Sequence, residues 1–162
     1  MHMQIFLALL YDVALIGVCG WAIVRGGRPE RWGALLLLSA SATSSAVRVL
    51  HLSTWAPGEL VIISIDCAVI AGFYWLAITT IRFWPIWALG FAMANIFIGV
   101  AGSLLPALTL FAYTSGLGIY AYLALGSLAL GTLRLPRDAS PALRNGSRRL
   151  WLQQQNENQT RI

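Results

Sequence analysis

Apolar residues fill five long stretches of the chain, and most charged residues lie in the short segments between them. A membrane-spanning helix needs about 20 predominantly apolar residues, because each residue advances about 1.5 Å across a hydrocarbon core about 30 Å thick. Five stretches have about this length, at residues 3–24, 32–50, 59–81, 86–105 and 108–133. The pattern therefore predicts an all-α polytopic membrane protein whose five transmembrane helices form one bundle.

Prolines support these boundaries, because a missing amide proton costs little at a helix end. The prolines at predicted ends are Pro29, Pro57, Pro85, Pro106 and Pro136. Connections this short make consecutive helices antiparallel neighbours. At Pro106 one alternative stays open, in which the fourth and fifth helices form a single bent element.

Residues 134–162 form a polar segment that ends in a region rich in glutamine and asparagine. Such a composition cannot bury enough apolar surface to fold alone, so it predicts a disordered basic cytoplasmic tail. A short surface helix over residues 147–152 is an alternative, since it would place Trp151 among lipid headgroups beside two arginines. A positive tail that only anchors the topology is the simpler interpretation.

The composition excludes an ordinary soluble domain. Hydrophobic residues make up 58% of the chain and charged residues 10%, whereas soluble domains carry about 25% charged residues. The net charge of +5 would favour nucleic acid as the partner of a soluble protein, but here the arginines lie at helix ends and in the tail. We therefore predict no nucleic-acid partner and expect contacts with anionic lipid headgroups instead. The expected headgroup contacts are Arg25, Arg28, Arg31, Arg148 and Arg149.

The arginines are also divided unevenly between the two sides of the predicted bundle. Those before the second helix, after the third helix and in the tail share one side, while Arg48 lies on the other. Because basic residues are retained in the cytoplasm, the N-terminus is predicted outside and the C-terminus inside. Tryptophans cluster on the arginine side as an interfacial belt should. They are Trp21, Trp32, Trp84 and Trp87.

A charged side chain near the bilayer centre costs at least ~2.5–3.5 kcal/mol and is a functional candidate by default. The charged or amide residues inside the predicted spans are Asp12, Arg48, Asp66 and Asn95. One hypothesis makes them a polar track in which the acidic pair binds a proton or cation. The other pairs Arg48 with Asp66 at similar depth and leaves Asp12 protonated or hydrogen-bonded to serines. We favour the pairing for Arg48 and Asp66 and leave the role of Asp12 open.

Small residues at helical spacing indicate close helix packing more than a binding site. The expected packing positions are Ser41, Ser45, Gly99, Gly116 and Gly131. The chain has no nucleophile motif, phosphate loop or dinucleotide fingerprint. Its two histidines, His2 and His51, do not have metal-ligand spacing. We therefore predict no catalytic residue, no metal, no cofactor and no enzymatic activity.

Two motifs at helix starts are similar to those of a known group. Residues 26–31 read GGRPER before the second helix, and residues 82–91 read RFWPIWALGF at the start of the fourth. With Asp66 and the closing residues 129–134, they make the chain resemble the uncharacterised small multi-pass inner-membrane proteins of the alphaproteobacterial type. The resemblance covers about residues 20–135. It implies the bacterial inner membrane as the compartment, and it implies no activity.

Three classes of function remain. A non-enzymatic accessory or structural subunit that packs against another membrane protein fits the small-residue faces and the missing catalytic motifs best. The alternative is a small oligomeric carrier or channel that uses Asp12 and Asp66 for a proton or cation, and an intramembrane enzyme comes third. The predicted partners are the lipid bilayer and either another membrane protein or a second copy of the chain.

Overall fold

The protein is all-α, as predicted. A computed structural model describes residues 2–49, 57–104, 110–136 and 144–159. The helices with described bounds are α1 (His2–Arg25), α2 (Arg28–Val49), α3 (Pro57–Thr79), α4 (Trp84–Leu104), α5 (Leu110–Leu133) and α6 (Arg148–Gln159). Apart from one isolated bridge between Thr80 and Ser147, the four described ranges contain no β-structure.

Helices α1–α5 form a closed ring in chain order. Each helix packs against the next, and α5 returns to pack against α1. Helix α2 also packs against α5 across the ring. The pair α4 and α5 is the most extensive of these contacts. These two helices therefore fold back on each other, which excludes the alternative of a single bent element.

Helix α2 begins about one turn before the predicted start at residue 32. Only Gly26 and Gly27 connect α1 to α2, and the Gly27 carbonyl accepts a hydrogen bond from the Arg31 amide at 3.1 Å. Gly27 thus caps α2, and Pro29 falls in the first turn, where its missing amide proton has no partner to lose. The charged run after the glycines is therefore helical, and it points Glu30 into the bundle.

The described core lies at one end of the ring, where α1, α3 and α5 finish and α2 and α4 begin. Each of the helices α1–α5 contributes buried side chains about one turn apart, so one face of each of these helices is buried. They are Leu15, Cys19 and Ala22 of α1, Ala34 and Leu37 of α2, Phe73 and Leu76 of α3, Trp84 and Ala88 of α4, and Leu125 and Leu128 of α5.

Exposed arginines surround the same end of the bundle. Their surface is called the arginine face below, and its described members are Arg25, Arg28, Arg31, Arg134, Arg144 and Arg148. The Arg134 guanidinium carbon lies 5.0 Å from the centre of the Phe83 ring, which is a cation–π distance.

Within the part of the chain that the structure describes, two helices are long and apolar enough to cross a membrane. The stretches are Val61–Thr79 in α3 and Trp84–Ala101 in α4. Only 11% and 17% of the respective windows is buried inside the bundle, whereas the core helix of a soluble protein would be mostly buried. Their apolar side chains therefore face outwards, which is the arrangement expected against lipid.

The tail differs from the predicted disorder where it is described. Residues 148–159 form α6, which includes most of the alternative surface helix at 147–152. Just before it, the Gly146 carbonyl accepts a hydrogen bond from the Ile81 amide at 3.0 Å, and Ser147 pairs with Thr80. The reason is local, because these backbone bonds fasten the start of the tail to the α3–α4 connection. Residues 137–143 and 160–162 of the predicted tail lie outside the described residues.

Candidate functional site

A buried charged cluster lies beneath the arginine face. The Glu30 side chain is 0% exposed, and its Oε1 lies 3.4 Å from Nε of Arg82, whose side chain is 13% exposed. The indole Nε1–H of Trp84 also donates a hydrogen bond to Glu30 Oε1 at 3.3 Å. A buried carboxylate is tolerated when a cation and a donor compensate its lost hydration. The cluster thus ties the start of α2 to the start of α4.

Two glycines make room for Glu30. A Cβ atom at Gly26 would lie 2.6 Å from the Glu30 Cβ, and one at Gly27 would lie 2.9 Å from Glu30 Oε2. Any larger residue would therefore push the carboxylate out of its position. Glu30 Oε2 has no hydrogen-bond partner among the described residues, so this side of the cluster is incompletely satisfied.

Trp84 is fully buried and packs in a space bounded by two further glycines. A Cβ at Gly33 would lie 2.3 Å from the far edge of the indole ring, and one at Gly131 would lie 2.3 Å from Cδ1. Phe73 meets the indole edge to face, with ring centres 6.2 Å apart. Helices α2, α3 and α5 therefore all contact this one side chain of α4.

The tail covers this region from outside. Gly146 has a φ of +59°, a left-handed conformation that glycine adopts without the penalty of a Cβ. A Cβ there would lie 2.6 Å from Pro29 Cγ. The carbonyl of Arg144 approaches Gly27 closely enough that a Cβ at Gly27 would lie 2.4 Å from it. The tail thus seals the α1–α2 connection.

The seam between α2 and α3 holds two cavities. The larger, of about 370 Å³, opens at the arginine face, and the smaller, of about 150 Å³, lies deeper along the same seam. Leu36 lines both of them. Neither cavity is lined by Glu30 or Arg82. The charged cluster is therefore not placed to meet a ligand there, and its geometry supports a structural role.

The polar residues predicted inside the spans lie on different helices. Asp12 lies exposed on α1, and Asp66 is half-buried on α3. Helix α1 packs against α2 and α5, whereas α3 packs against α2 and α4. Asn95 is half-buried on α4, and its Oδ1 is buried without a hydrogen-bond partner in the described ranges. Arg48 belongs to α2, but its side chain lies outside the described residues, so its pairing with Asp66 stays a prediction.

The predicted packing positions have different surroundings. Gly131 is buried against Trp84, and a Cβ at Gly99 would meet no described atom within 4 Å. On α2, Ser41 is half-buried and Ser45 is exposed. Gly116 belongs to α5, but its surroundings lie outside the described residues. Of this set, Gly131 is the position where close approach is visible.

The predicted headgroup arginines lie at the arginine face where they are described. Arg25, Arg28, Arg31 and Arg148 are exposed, while the side chain of Arg149 in α6 lies outside the described residues. The described residues contain no group of three or more histidine, cysteine, aspartate or glutamate side chains that could hold a metal ion.

Sequence reasoning missed Glu30 as a site residue. A glutamate between arginines looks like part of a solvated loop, and nothing in the spacing states that it is buried. One signal existed, because the motifs at residues 26–31 and 82–91 that carry the resemblance are the two that meet at Glu30, Arg82 and Trp84.

Comparisons with protein-family models, with curated proteins and with solved structures find no match for this chain. Its function has therefore to be argued from its own geometry.

Proposed function

We propose that the chain crosses the bacterial inner membrane five times and acts as a non-enzymatic accessory or structural subunit that packs against another membrane protein. The N-terminus is then periplasmic and the C-terminus cytoplasmic. The proposal has three parts, which are the spans, their orientation and the protein partner.

Helix length and outer surface support five spans. Helices α1 and α5 have 24 residues each and α2 has 22, so at about 1.5 Å per residue each is at least about 33 Å long. That length exceeds a hydrocarbon core of about 30 Å. Large apolar side chains also face outwards on α1, where Val13 is 69% exposed and Ile16 66%.

The arginine face supports the orientation. All six of its described arginines are exposed at one end of the ring. The only acidic side chain described there, Glu30, is buried and paired with Arg82, so it does not reduce the positive charge of the surface. Positive residues of this kind are retained on the cytoplasmic side.

The main observation that supports a protein partner is the exposure of Asp12. It lies on the outer face of α1 between exposed Leu9, Val13 and Ile16. It is also about 20 Å along the helix axis from Arg25, which places it near mid-depth if α1 spans. A carboxyl group facing lipid at that depth is expensive. A helix of another protein laid over this face would remove the carboxyl from lipid and offer it a hydrogen bond.

The exposed side of α1 also permits close approach of another helix. Gly17 and Gly20 are exposed there, and a Cβ at either would meet no described atom within 4 Å. Exposed glycines in a spanning helix allow a second helix to pack backbone to backbone. The exposed side of α1, which has Asp12 at one edge and the two glycines further round the helix, therefore has room for a partner.

The first test is to purify the full chain at native expression level in mild detergent and weigh the intact complex by mass spectrometry. A fixed-ratio complex with a different membrane protein is the expected result. A monomer, or a complex of this chain alone, would contradict the accessory role.

A pair of matched variants tests the proposed face. Gly17→Leu should reduce the recovered complex roughly tenfold, the effect of about 1.4 kcal/mol of lost association energy, because leucine keeps the partner helix away. Gly90→Leu is the control, since Gly90 is also exposed with no described atom within 4 Å of its Cβ position. Equal losses in the two variants would show that the face of α1 has no special part in assembly.

A carrier that uses Asp12 and Asp66 is not favoured by these observations. The two residues lie on helices that each pack against α2, and neither lines the cavities along the α2–α3 seam. Asp12→Asn distinguishes the two functions. A carrier would lose ion flux in liposomes, whereas an accessory subunit would keep its complex because the amide still forms hydrogen bonds.

A further inference from the structure

We propose that the larger cavity between α2 and α3 binds one phospholipid with an anionic headgroup. The headgroup lies at Arg28, and one acyl chain runs down the seam past Leu36. This inference rests on the proposed position of the helices in a membrane, and it adds a defined ligand to the arginine face.

Polar groups line the outer end of the cavity. Arg28 is the first residue of α2, and its side chain is exposed. The other polar residues that line this end are Thr79, Thr80, Asn145 and Ser147. The tail residues of this set are fixed in position, because Ile81 and Thr80 hold the backbone of residues 146 and 147. A guanidinium beside the Asn145 amide and the Ser147 hydroxyl is the chemistry that recognises a phosphodiester. The hydroxyls of Thr79 and Thr80 already donate hydrogen bonds to the carbonyls of Trp75 and Leu76.

Apolar groups line the inner part of the cavity. Its apolar lining consists of Leu36, Gly72 and Leu76 together with the indoles of Trp32 and Trp75. Both indoles are about two-thirds exposed, at 64% and 65%, so the cavity is open towards the surrounding lipid. Tryptophan beside arginine at a helix end is the arrangement expected at the headgroup level.

The smaller cavity continues this apolar path. Its hydroxyl groups belong to Ser39 and Thr43, which donate hydrogen bonds to the carbonyls of Leu36 at 3.0 Å and of Ser39 at 2.7 Å. Because both hydroxyl protons are used within α2, they place little demand on a neighbouring acyl chain. From Arg28 to Thr43 the helix rises about 22 Å, which is enough for a chain crossing one leaflet of about 15 Å.

Charge decides which lipid occupies the site. The arginine face carries exposed positive charge, and its buried glutamate is already paired with Arg82. A zwitterionic headgroup would bring a second positive group next to Arg28, whereas an anionic headgroup would not. The cavity, at about 370 Å³, is also within the usual volume of ligand sites.

The test uses the full chain in detergent and native mass spectrometry with dioleoyl phosphatidylglycerol or dioleoyl phosphatidylcholine. One phosphatidylglycerol should remain bound per chain, and phosphatidylcholine should be retained less well. Arg28→Gln should weaken phosphatidylglycerol binding about fivefold, as expected for the loss of one arginine near an anionic headgroup. Arg134→Gln is the matched control, because Arg134 is exposed at the same face but does not line the cavity.

A second pair of variants tests the acyl path independently of charge. Thr79→Trp should fill the cavity and remove the retained lipid, while Ile78→Trp should not, since Ile78 is exposed beside it without lining it. Glycerol phosphate, which lacks acyl chains, should not compete with phosphatidylglycerol. Competition by glycerol phosphate would mean that the site binds a free phosphate group, which would overturn the proposal.

Failure of this inference is separable from failure of the proposed function. If the chain is released from membranes by carbonate, the membrane-spanning function is wrong. If the chain stays in the membrane but Arg28→Gln and Arg134→Gln bind phosphatidylglycerol alike, and Thr79→Trp binds it like Ile78→Trp, only the lipid site is wrong.

Discussion

At the scale of the residue, whether a charged side chain can be buried depends on its partner as much as on its depth. Glu30 is fully buried, yet Arg82 and Trp84 satisfy one of its oxygens. Asp12 is exposed on α1, and the exposed side chains near it, Leu9, Val13 and Ile16, are apolar. Glu30 lies before the predicted start of the second helix, but the depth of Asp12 along its helix could be predicted from the 1.5 Å rise. The face that each occupies could not, because a helix that is apolar all round gives no periodicity that marks its buried side.

Replacing Glu30 tests the buried pair. Glu30→Gln keeps the size of the side chain but leaves the Arg82 guanidinium without its carboxylate, and removing one partner of a buried pair costs about 3 kcal/mol or more. We expect a clear loss of stability in denaturant unfolding of the detergent-solubilised protein. Arg31→Gln, at an exposed position, should change stability by less than about 0.5 kcal/mol.

The double variant sharpens this prediction. Adding Arg82→Gln to Glu30→Gln removes both charges, so it should recover part of the stability that the single substitution loses. Purely additive losses would mean that the two side chains do not interact in the folded protein.

At the scale of the element, the start of α2 shows what sequence patterning can and cannot predict. The run after Gly27 contains two arginines, a proline and a glutamate, which is typical of a loop when read for hydrophobicity alone. Read as a helix start, the same residues place Pro29 in the first turn and an acid near the N-terminal end of the helix dipole. The length of the apolar stretches predicts where the helices lie, but the cap at Gly27 sets which way Glu30 faces.

Glycines on one helix provide a matched test of close packing. Gly131→Ala should destabilise the protein by about 1–3 kcal/mol, because its methyl group would lie 2.3 Å from Trp84 Cδ1. Gly126→Ala, on the same helix and with no described atom within 4 Å, should be neutral or slightly stabilising, since alanine favours helix. Thermal unfolding in detergent measures both. Equal effects would contradict the role of Gly131 as the space for the indole.

At the scale of the whole molecule, several described features lie together at one end of the bundle. The core, the charged cluster, the larger cavity and the start of the tail all lie at the arginine face. The uneven distribution of arginine was visible in the sequence. The docking of the tail was not, because it depends on a left-handed glycine meeting Pro29, and a polar composition alone predicts disorder.

Substitution of Gly146 should release the tail from the bundle. Valine cannot adopt a φ of +59° without strain, and its Cβ would lie 2.6 Å from Pro29 Cγ. In Gly146→Val we expect faster hydrogen exchange at the Ile81 amide, which loses its acceptor. Leu152→Val, at an exposed position in α6, should leave that exchange unchanged. Unchanged exchange in Gly146→Val would show that the backbone bond does not depend on this conformation.

Reporter fusions test the five spans and their direction together. Alkaline phosphatase fused after Ile162 should be inactive, and a fluorescent protein at the same point should be bright, since the C-terminus is proposed to be cytoplasmic. Phosphatase inserted between α2 and α3 should be active. Phosphatase activity at the C-terminus would require either an even number of spans or the opposite direction.

The pair that Glu30 forms with Arg82 also matters while the ribosome is still synthesising the chain. Trp84 follows Glu30 by 54 residues, so at about 5–20 residues per second a ribosome needs roughly 3–11 s to supply it. During that interval Glu30 is without the donor and the cation that later surround it. Because Glu30 is at the end of a helix, the incomplete chain can keep this carboxylate in water until α4 emerges. A glutamate at the centre of the same helix could not stay in water during that interval.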